Sequence, residues 1–259
     1  MATYKARGTS RAILQVAMSK DTSNVTARSA KDIADASTRA EIDAFVAKVR
    51  DLGPAVAPGQ RGRLVFALDA TMSRQPTWDS ACRLQADMFR EAAGIGGLDV
   101  QLVYYRGLNE CRASSWVSQP ERLGALMERI DCRGGHTQIR KVLQHASAEG
   151  IGKVQALVFV GDAMEEAIDD VCAAAGELGL RSVPAFMFQE GDDPVAEQAY
   201  REIARLTRGA YCRFSSGAAH QLAELLRAAA AYAAGGRKAL ADLSARKHSG
   251  ATALLKQMS

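Results

Sequence analysis

The chain has 259 residues, 47% hydrophobic and 24% charged, the composition of an ordinary soluble globular protein with one well-buried core. No stretch approaches the roughly 20 apolar residues of a membrane span, the first residues lack the plan of a secretory signal, and the five cysteines are scattered without a CxxC pair. A disulfide framework and a thiolate zinc site are thereby excluded, and a cytoplasmic protein with reduced thiols is expected. The net charge of +4 sits in the tails: residues 1–62 hold ten Lys/Arg against six Asp/Glu, residues 237–259 five against one, and residues 63–236 eighteen against twenty-two. No aromatic residues interleave with these basic tails, so solvated charge is expected there and nucleic acid is not the expected partner.

Residues 1–36 are polar and read as a flexible arm. Thr38 and Glu41 form a capping box, and Ile42, Phe45, Val46, Val49 and Leu52 follow at helical spacing, predicting an amphipathic helix over 38–52. A breaker-rich linker covers 53–59. From Arg63 the pattern changes to strand–helix alternation. An apolar run at 64–68 has the length of a central strand buried on both faces. A helix over 78–93 should stop at the glycines of 94–97. Strands at 100–105 and about 111–117, joined by a short turn, read as a hairpin and hence one antiparallel edge strand.

Helices near 120–130 and 138–149 flank a glycine turn at 133–135. The apolar strand 154–160 runs into Gly161 and Asp162. A helix at 165–178, a strand at 182–188, a helix at 194–207, a short strand at 210–214 and an Ala-rich helix at 218–234 follow. The expected architecture is α/β: a doubly wound, mostly parallel six-stranded sheet with one antiparallel edge strand and helices on both faces. Its organisation is an N-terminal arm, helix and linker (1–62), the α/β domain (63–234) and a C-terminal extension (235–259). The extension carries a weak helical pattern (Leu240, Leu243, Leu254, Leu255) split at Ser249 and Gly250.

In open α/β sheets ligands gather beyond the carboxyl ends of the strands, where strand order reverses. Two of the most apolar strands here end in aspartate, at Asp69 and Asp162. Thr71 and Ser73 follow Asp69 at alternate positions, and the Gly134-Gly135-His136-Thr137 loop adds another hydroxyl before a helix. Two carboxylates and three hydroxyls suit a hard cation; none of the four histidines pairs at the ligand spacing a softer metal would use.

These residues resemble the metal-ion-dependent adhesion site of the von Willebrand factor A family. That site reads Asp-x-Ser-x-Ser after the first strand, a Thr in a downstream glycine loop and an Asp after the fourth strand. The resemblance spans about residues 63–234, with Thr71 where the family usually has serine. It implies the vWA fold and a metal held by Asp69, Thr71, Ser73, Thr137 and Asp162. The hydroxyls would contact the ion directly or through water, and the aspartates commonly through water. Mg²⁺ is the expected ion, with Mn²⁺ or Ca²⁺ also suited to oxygen ligands. An open position would accept a carboxylate from a protein partner, by binding rather than catalysis. Intracellular bacterial-type members often serve ATPase-driven assembly or stress-response systems, which the resemblance extends to this chain's partner.

Blander readings stand beside these. Thr71 and Ser73 could cap the following turn; Glu165 and Glu166 could ring the metal face, but more simply answer the dipole of the helix they begin. His136 is tempting as a pH sensor yet more simply a loop residue without a role, and Cys132 reads as a small filler. Tyr104 and Tyr105 read as one per sheet face, and Trp78 as the anchor of the first helix. Two other functions remain open: a metal-assisted phosphatase-like enzyme, which would want a second Asp at the position of Thr71, and a vWA-fold scaffold that holds partners through its terminal helices. There is no Gly-x-Ser-x-Gly elbow and no Walker loop.

Overall fold

Strand β1 (Gly62–Asp69) is apolar from Leu64 to Leu68, and all five of those side chains are buried. A strand that is hydrophobic on both faces must lie inside a sheet, and in the computed structural model it does. The structure describes residues 60–150, 153–215, 218–246 and 248–258; the arm, the 38–52 helix and the 53–59 linker lie outside the described residues. The order continues with a 3₁₀ turn (Met72–Arg74), α1 (Gln75–Ala93), β2 (Leu98–Arg106), β3 (Glu110–Ala113), α2 (Pro120–Met127), α3 (Ile139–Ala148) and β4 (Ala156–Gly161). It ends with α4 (Ile168–Leu180), β5 (Ala185–Glu190), α5 (Pro194–Thr207), β6 (Ala210–Phe214), α6 (Ala219–Ala245) and α7 (Ser249–Leu255).

The six strands lie in the order β3-β2-β1-β4-β5-β6. All pairings are parallel except that of β2 with β3, the expected antiparallel edge. Gly107, at φ 62°, occupies the left-handed region in the tight β2–β3 turn. After β1 the chain builds outward to β2 on one side and then returns to place β4 on the other. The strand order therefore reverses between β1 and β4, whose carboxyl ends carry Asp69 and Asp162.

Alternation along β1 divides the core. Leu64, Phe66 and Leu68 pack with Trp78, Met88, Leu226 and the alanines of α6; Val65 and Ala67 pack with Ile139, Leu143, Val171, Tyr200 and Ile203 on the opposite face. Tyr104 and Tyr105 divide in the same way. Tyr104 meets Trp78 edge-on, while Tyr105 stacks on Phe159, whose ring in turn meets Tyr200 edge-on. Trp78 is buried and ties α1 to α2, donating its indole N–H to the Met127 carbonyl at 3.2 Å.

The C-terminal residues add to the core. The Ala-rich helix breaks at Gly236, where φ is 67° and ψ −161°, close to its expected end at 234, and a second helical stretch carries α6 on to Ala245. The helical pattern is split, as expected, just before the Ser249-Gly250 pair, which begins α7 behind His248, whose ring accepts the Ala251 N–H at 3.4 Å. Leu240, Leu243, Leu254 and Met258 are buried in the core that also holds β1 and α1. Among the described residues no helix is long and apolar enough to cross a membrane.

Candidate metal centre

The site is built where β1 and β4 end. Asp69 is the last residue of β1 and only 3% exposed. Its Oδ1 accepts the Thr71 N–H at 2.7 Å, which turns the chain sharply and brings the Thr71 and Ser73 hydroxyls to the same side, 3.4 Å apart. Ser73 Oγ in turn donates to Asp162 Oδ2 at 3.5 Å, across from β1 to the end of β4. Four of the five sequence-derived residues are thus linked in one cluster of oxygens.

Thr137 is positioned separately, by the loop that carries it. Arg133 N–H donates to the Ala70 carbonyl at 2.9 Å, and His136 N–H donates to the Gly107 carbonyl at 3.1 Å, fixing the 133–137 segment against the β1 and β2 ends. Gly135 is forced by this packing, because a Cβ there would meet the Gly107 backbone; Gly134 faces open space. Thr137 is buried, and its side chain is held by the segment just after Asp162: the Glu165 N–H donates to Thr137 Oγ1 at 2.9 Å. The Glu165 carboxylate returns the bond, accepting the Thr137 N–H at 3.0 Å, and sits 3.1 Å from His136 Nδ1.

Glu165 and Glu166 therefore do not serve the helix they precede, which starts only at Ile168. Glu166 accepts the N–H groups of Ile139 and Arg140, donors at the start of α3 that have no partner within the helix. Glu166 thus answers the dipole of α3 and not that of the helix it precedes. The two acids clasp the Thr137 loop and α3 to the β4 end.

The floor of the site is buried. Burial pushes the Asp69 carboxyl from 3.8 to about 6, opposed by its bonds from Thr71, raised further by the Asp162 charge and lowered by Arg74. Tyr105, fully buried below it, is pushed well above the ordinary phenol value by burial first and by Asp69 next. Burial also raises the Cys132 thiol to about 11, so almost none is thiolate at neutral pH and the filler reading fits it.

Two residues escaped the sequence reading. Arg74, directly after Ser73, is buried and places Nη1 3.1 Å from Asp162 Oδ2, while Nη2 pairs with Glu190. Glu190 is also buried and accepts the Thr77 hydroxyl. The strand expected to end at 188 continues to Glu190, which puts a third acid at a strand's carboxyl end. The rule that singled out Asp69 and Asp162 would have found it had the strand been drawn two residues longer.

Among the described residues, no three His, Cys, Asp or Glu side chains gather as a metal cluster. The donors at the site are instead two carboxylates with neutral hydroxyls, all oxygen. Their 3.4–3.5 Å spacings lie somewhat above the roughly 3 Å between neighbouring oxygens of an octahedral Mg²⁺ shell. A small contraction would suit the donors to a hard divalent ion.

No family model matches the sequence, and no curated protein matches it. Solved structures do. The pilus adhesin SpaC from Lactobacillus rhamnosus GG, in its open conformation, aligns over 67% of this chain and 30% of its own, with a TM-score of 0.53 and 10% identity. An aerotolerance-related membrane protein from Bacteroides fragilis, carrying multiple mutations to serine, aligns over 64% of this chain and 96% of its own at 18% identity and a TM-score of 0.49. The VWA domain of SpRpn10 aligns over 61% and 90% at 9% identity and a TM-score of 0.49. At such identities the likeness is one of fold, and the fold is a Rossmann-like, doubly wound α/β sheet with one antiparallel edge.

Proposed function

We propose that the chain is a divalent-metal-dependent protein-binding module, acting by binding rather than catalysis. Asp69, Thr71, Ser73, Thr137 and Asp162 would hold Mg²⁺, or Mn²⁺ or Ca²⁺ in its place. Few of these ligands are anionic, so a bound ion would stay electrophilic and could accept a carboxylate from an acidic side chain of a partner. One observation carries the reading: Asp69, Thr71, Ser73 and Asp162 form a single linked set of oxygens at the switch point between β1 and β4. The scattered free cysteines support a reducing, cytoplasmic setting. A partner within an ATPase-linked or stress-response assembly remains part of the proposal through the family resemblance alone.

Calorimetry of the purified protein with Mg²⁺ and Mn²⁺ tests the metal half. Binding that disappears in Asp69→Ala is expected; heats unchanged by that substitution would refute it. Affinity capture in Mg²⁺ against chelator tests the partner half. A protein retained equally in both, and by Asp162→Ala, would instead support a scaffold whose contacts lie elsewhere.

A further inference from the structure

Arg74 stands where the proposed ion would exert its field. Its guanidinium Nη1 lies 3.1 Å from Asp162 Oδ2, the same oxygen that accepts the Ser73 hydroxyl at 3.5 Å. The carboxylate oxygen facing the hydroxyl cluster is therefore already neutralised by a cation belonging to the chain. That cation cannot simply swing out. Its side chain is 6% exposed, and its other end is held by Glu190, itself fixed by the Thr77 hydroxyl. A guanidinium keeps its charge at every accessible pH and is shaped to bridge two carboxylates.

We infer that Arg74 is a built-in competitor for the metal: it holds Asp162 when the ion is absent, and it weakens the site for the ion by sharing that carboxylate. This rests on the metal-binding reading above and specifies what sets the affinity. Two cations sharing one carboxylate oxygen repel each other, and the burial of the Arg74 guanidinium limits how far water can screen that repulsion. Arg74 is a positioning residue here. It is too buried to meet a partner and acts only through Asp162. Because Glu190 retains the other end of the guanidinium, Asp162 is the group that shifts when the ion binds, while Arg74 stays with β5.

The test is a Mn²⁺ binding isotherm, read by electron paramagnetic resonance, on the wild type, Arg74→Lys and the double variant Arg74→Met/Glu190→Gln. The double variant removes the buried pair together, so that only the part-exposed Asp162 carboxylate loses its guanidinium. It should bind Mn²⁺ at least about tenfold more tightly than the wild type, and Arg74→Lys, which keeps the charge, should stay within about threefold. Equal affinity in the wild type and the double variant overturns the inference and leaves the metal reading standing. Weaker binding in the double variant also overturns it, making Arg74 a support of the site. No Mn²⁺ binding in any of the three proteins overturns both.

Should the double variant fail to fold, the wild type answers directly. The Arg74 guanidinium NMR signal, assigned by its disappearance in Arg74→Lys, should shift on saturation with Mg²⁺. A signal that does not move while Mg²⁺ binds overturns the inference.

Discussion

Glu165 and Thr137 hold each other reciprocally: the Thr137 N–H donates to Glu165 Oε2 at 3.0 Å, and the Glu165 N–H donates to Thr137 Oγ1 at 2.9 Å. The residues are 28 apart in sequence and belong to the two loops that flank α3 and β4. This clasp, rather than any bond from Thr137 to Asp69, sets how far the threonine stands from the aspartates. Glu165→Ala should cost about 1–2 kcal/mol in denaturant unfolding, since a part-buried amide loses its acceptor. It should also weaken Mn²⁺ binding about tenfold, the usual scale for residues that orient a ligand. Glu165→Gln keeps an acceptor oxygen and should recover most of both. Unaltered Mn²⁺ affinity in Glu165→Ala would show that Thr137 needs no such support.

Asp69 couples the site to pH. Its folded value of about 6 stands above the ordinary 3.8, so the folded chain binds this proton more tightly than the unfolded chain. Without metal, stability from this group is therefore greatest below pH 4 and is lost as pH rises through 6, by at most about 3 kcal/mol. Asp69→Asn keeps the acceptor for the Thr71 N–H and should stabilise the metal-free protein at pH 7 by about 2 kcal/mol, the gain vanishing near pH 4. With metal the sign turns, because the ion must displace the proton: affinity should fall about tenfold per unit below pH 6. Thermal melts across pH 4–8, with Mg²⁺ and with chelator, measure both. A metal-free Asp69→Asn that is less stable than wild type at pH 7 would contradict the buried-carboxylate account.

The glycine loop separates two residues that look alike in sequence. A Cβ on Gly135 would strike the Gly107 backbone, whereas one on Gly134 would meet nothing. Gly135→Ala should destabilise the protein by about 1–3 kcal/mol and abolish or blunt metal binding by pushing Thr137 away. Gly134→Ala should stay within about 0.5 kcal/mol of wild type. Chemical denaturation of the two variants side by side decides it, and equal effects would refute the close approach.

Much of this was legible beforehand because it rests on local pattern. The apolar runs ending in Asp69 and Asp162 identify buried strands, and the short turn before β3 identifies the antiparallel edge. Those rules depend only on strand burial and on chain length between elements. What was missed depends on contacts between distant segments. Arg74 reads as an ordinary polar residue until Glu190 and Asp162 are found beside it, 116 and 88 residues later. Glu165 reads as a helix-start acid until the Thr137 loop arrives beside it. The C-terminal pattern reads as weak because its leucines fall on two helices, Leu240 and Leu243 on the end of α6 at Ala245 and Leu254 and Leu255 on α7 from Ser249, which share no helical period.

The same distance effect governs the free edge of β6. Gln257 imitates a neighbouring strand: its Oε1 accepts the Tyr211 N–H at 2.8 Å and its Nε2 donates to the Tyr211 carbonyl at 2.7 Å. One side-chain amide thus satisfies both backbone groups of an edge residue that would otherwise invite pairing with another chain. The bond is placed by α7, whose Ala251 and Leu254 are buried, with Met258 beyond it, in the core. Gln257→Ala should lower stability by about 1–2 kcal/mol, the cost of two unpaired groups that water can partly reach. Gln257→Glu keeps one acceptor, loses the donor and brings a charge to the Tyr211 carbonyl, so it should be at least as damaging. Amide hydrogen exchange at Tyr211 gives the local readout. Its protection should fall in Gln257→Ala while Phe186 and Phe188, in the adjoining β5, keep theirs. If Tyr211 stays protected, the edge is closed by packing of α7 and not by the glutamine.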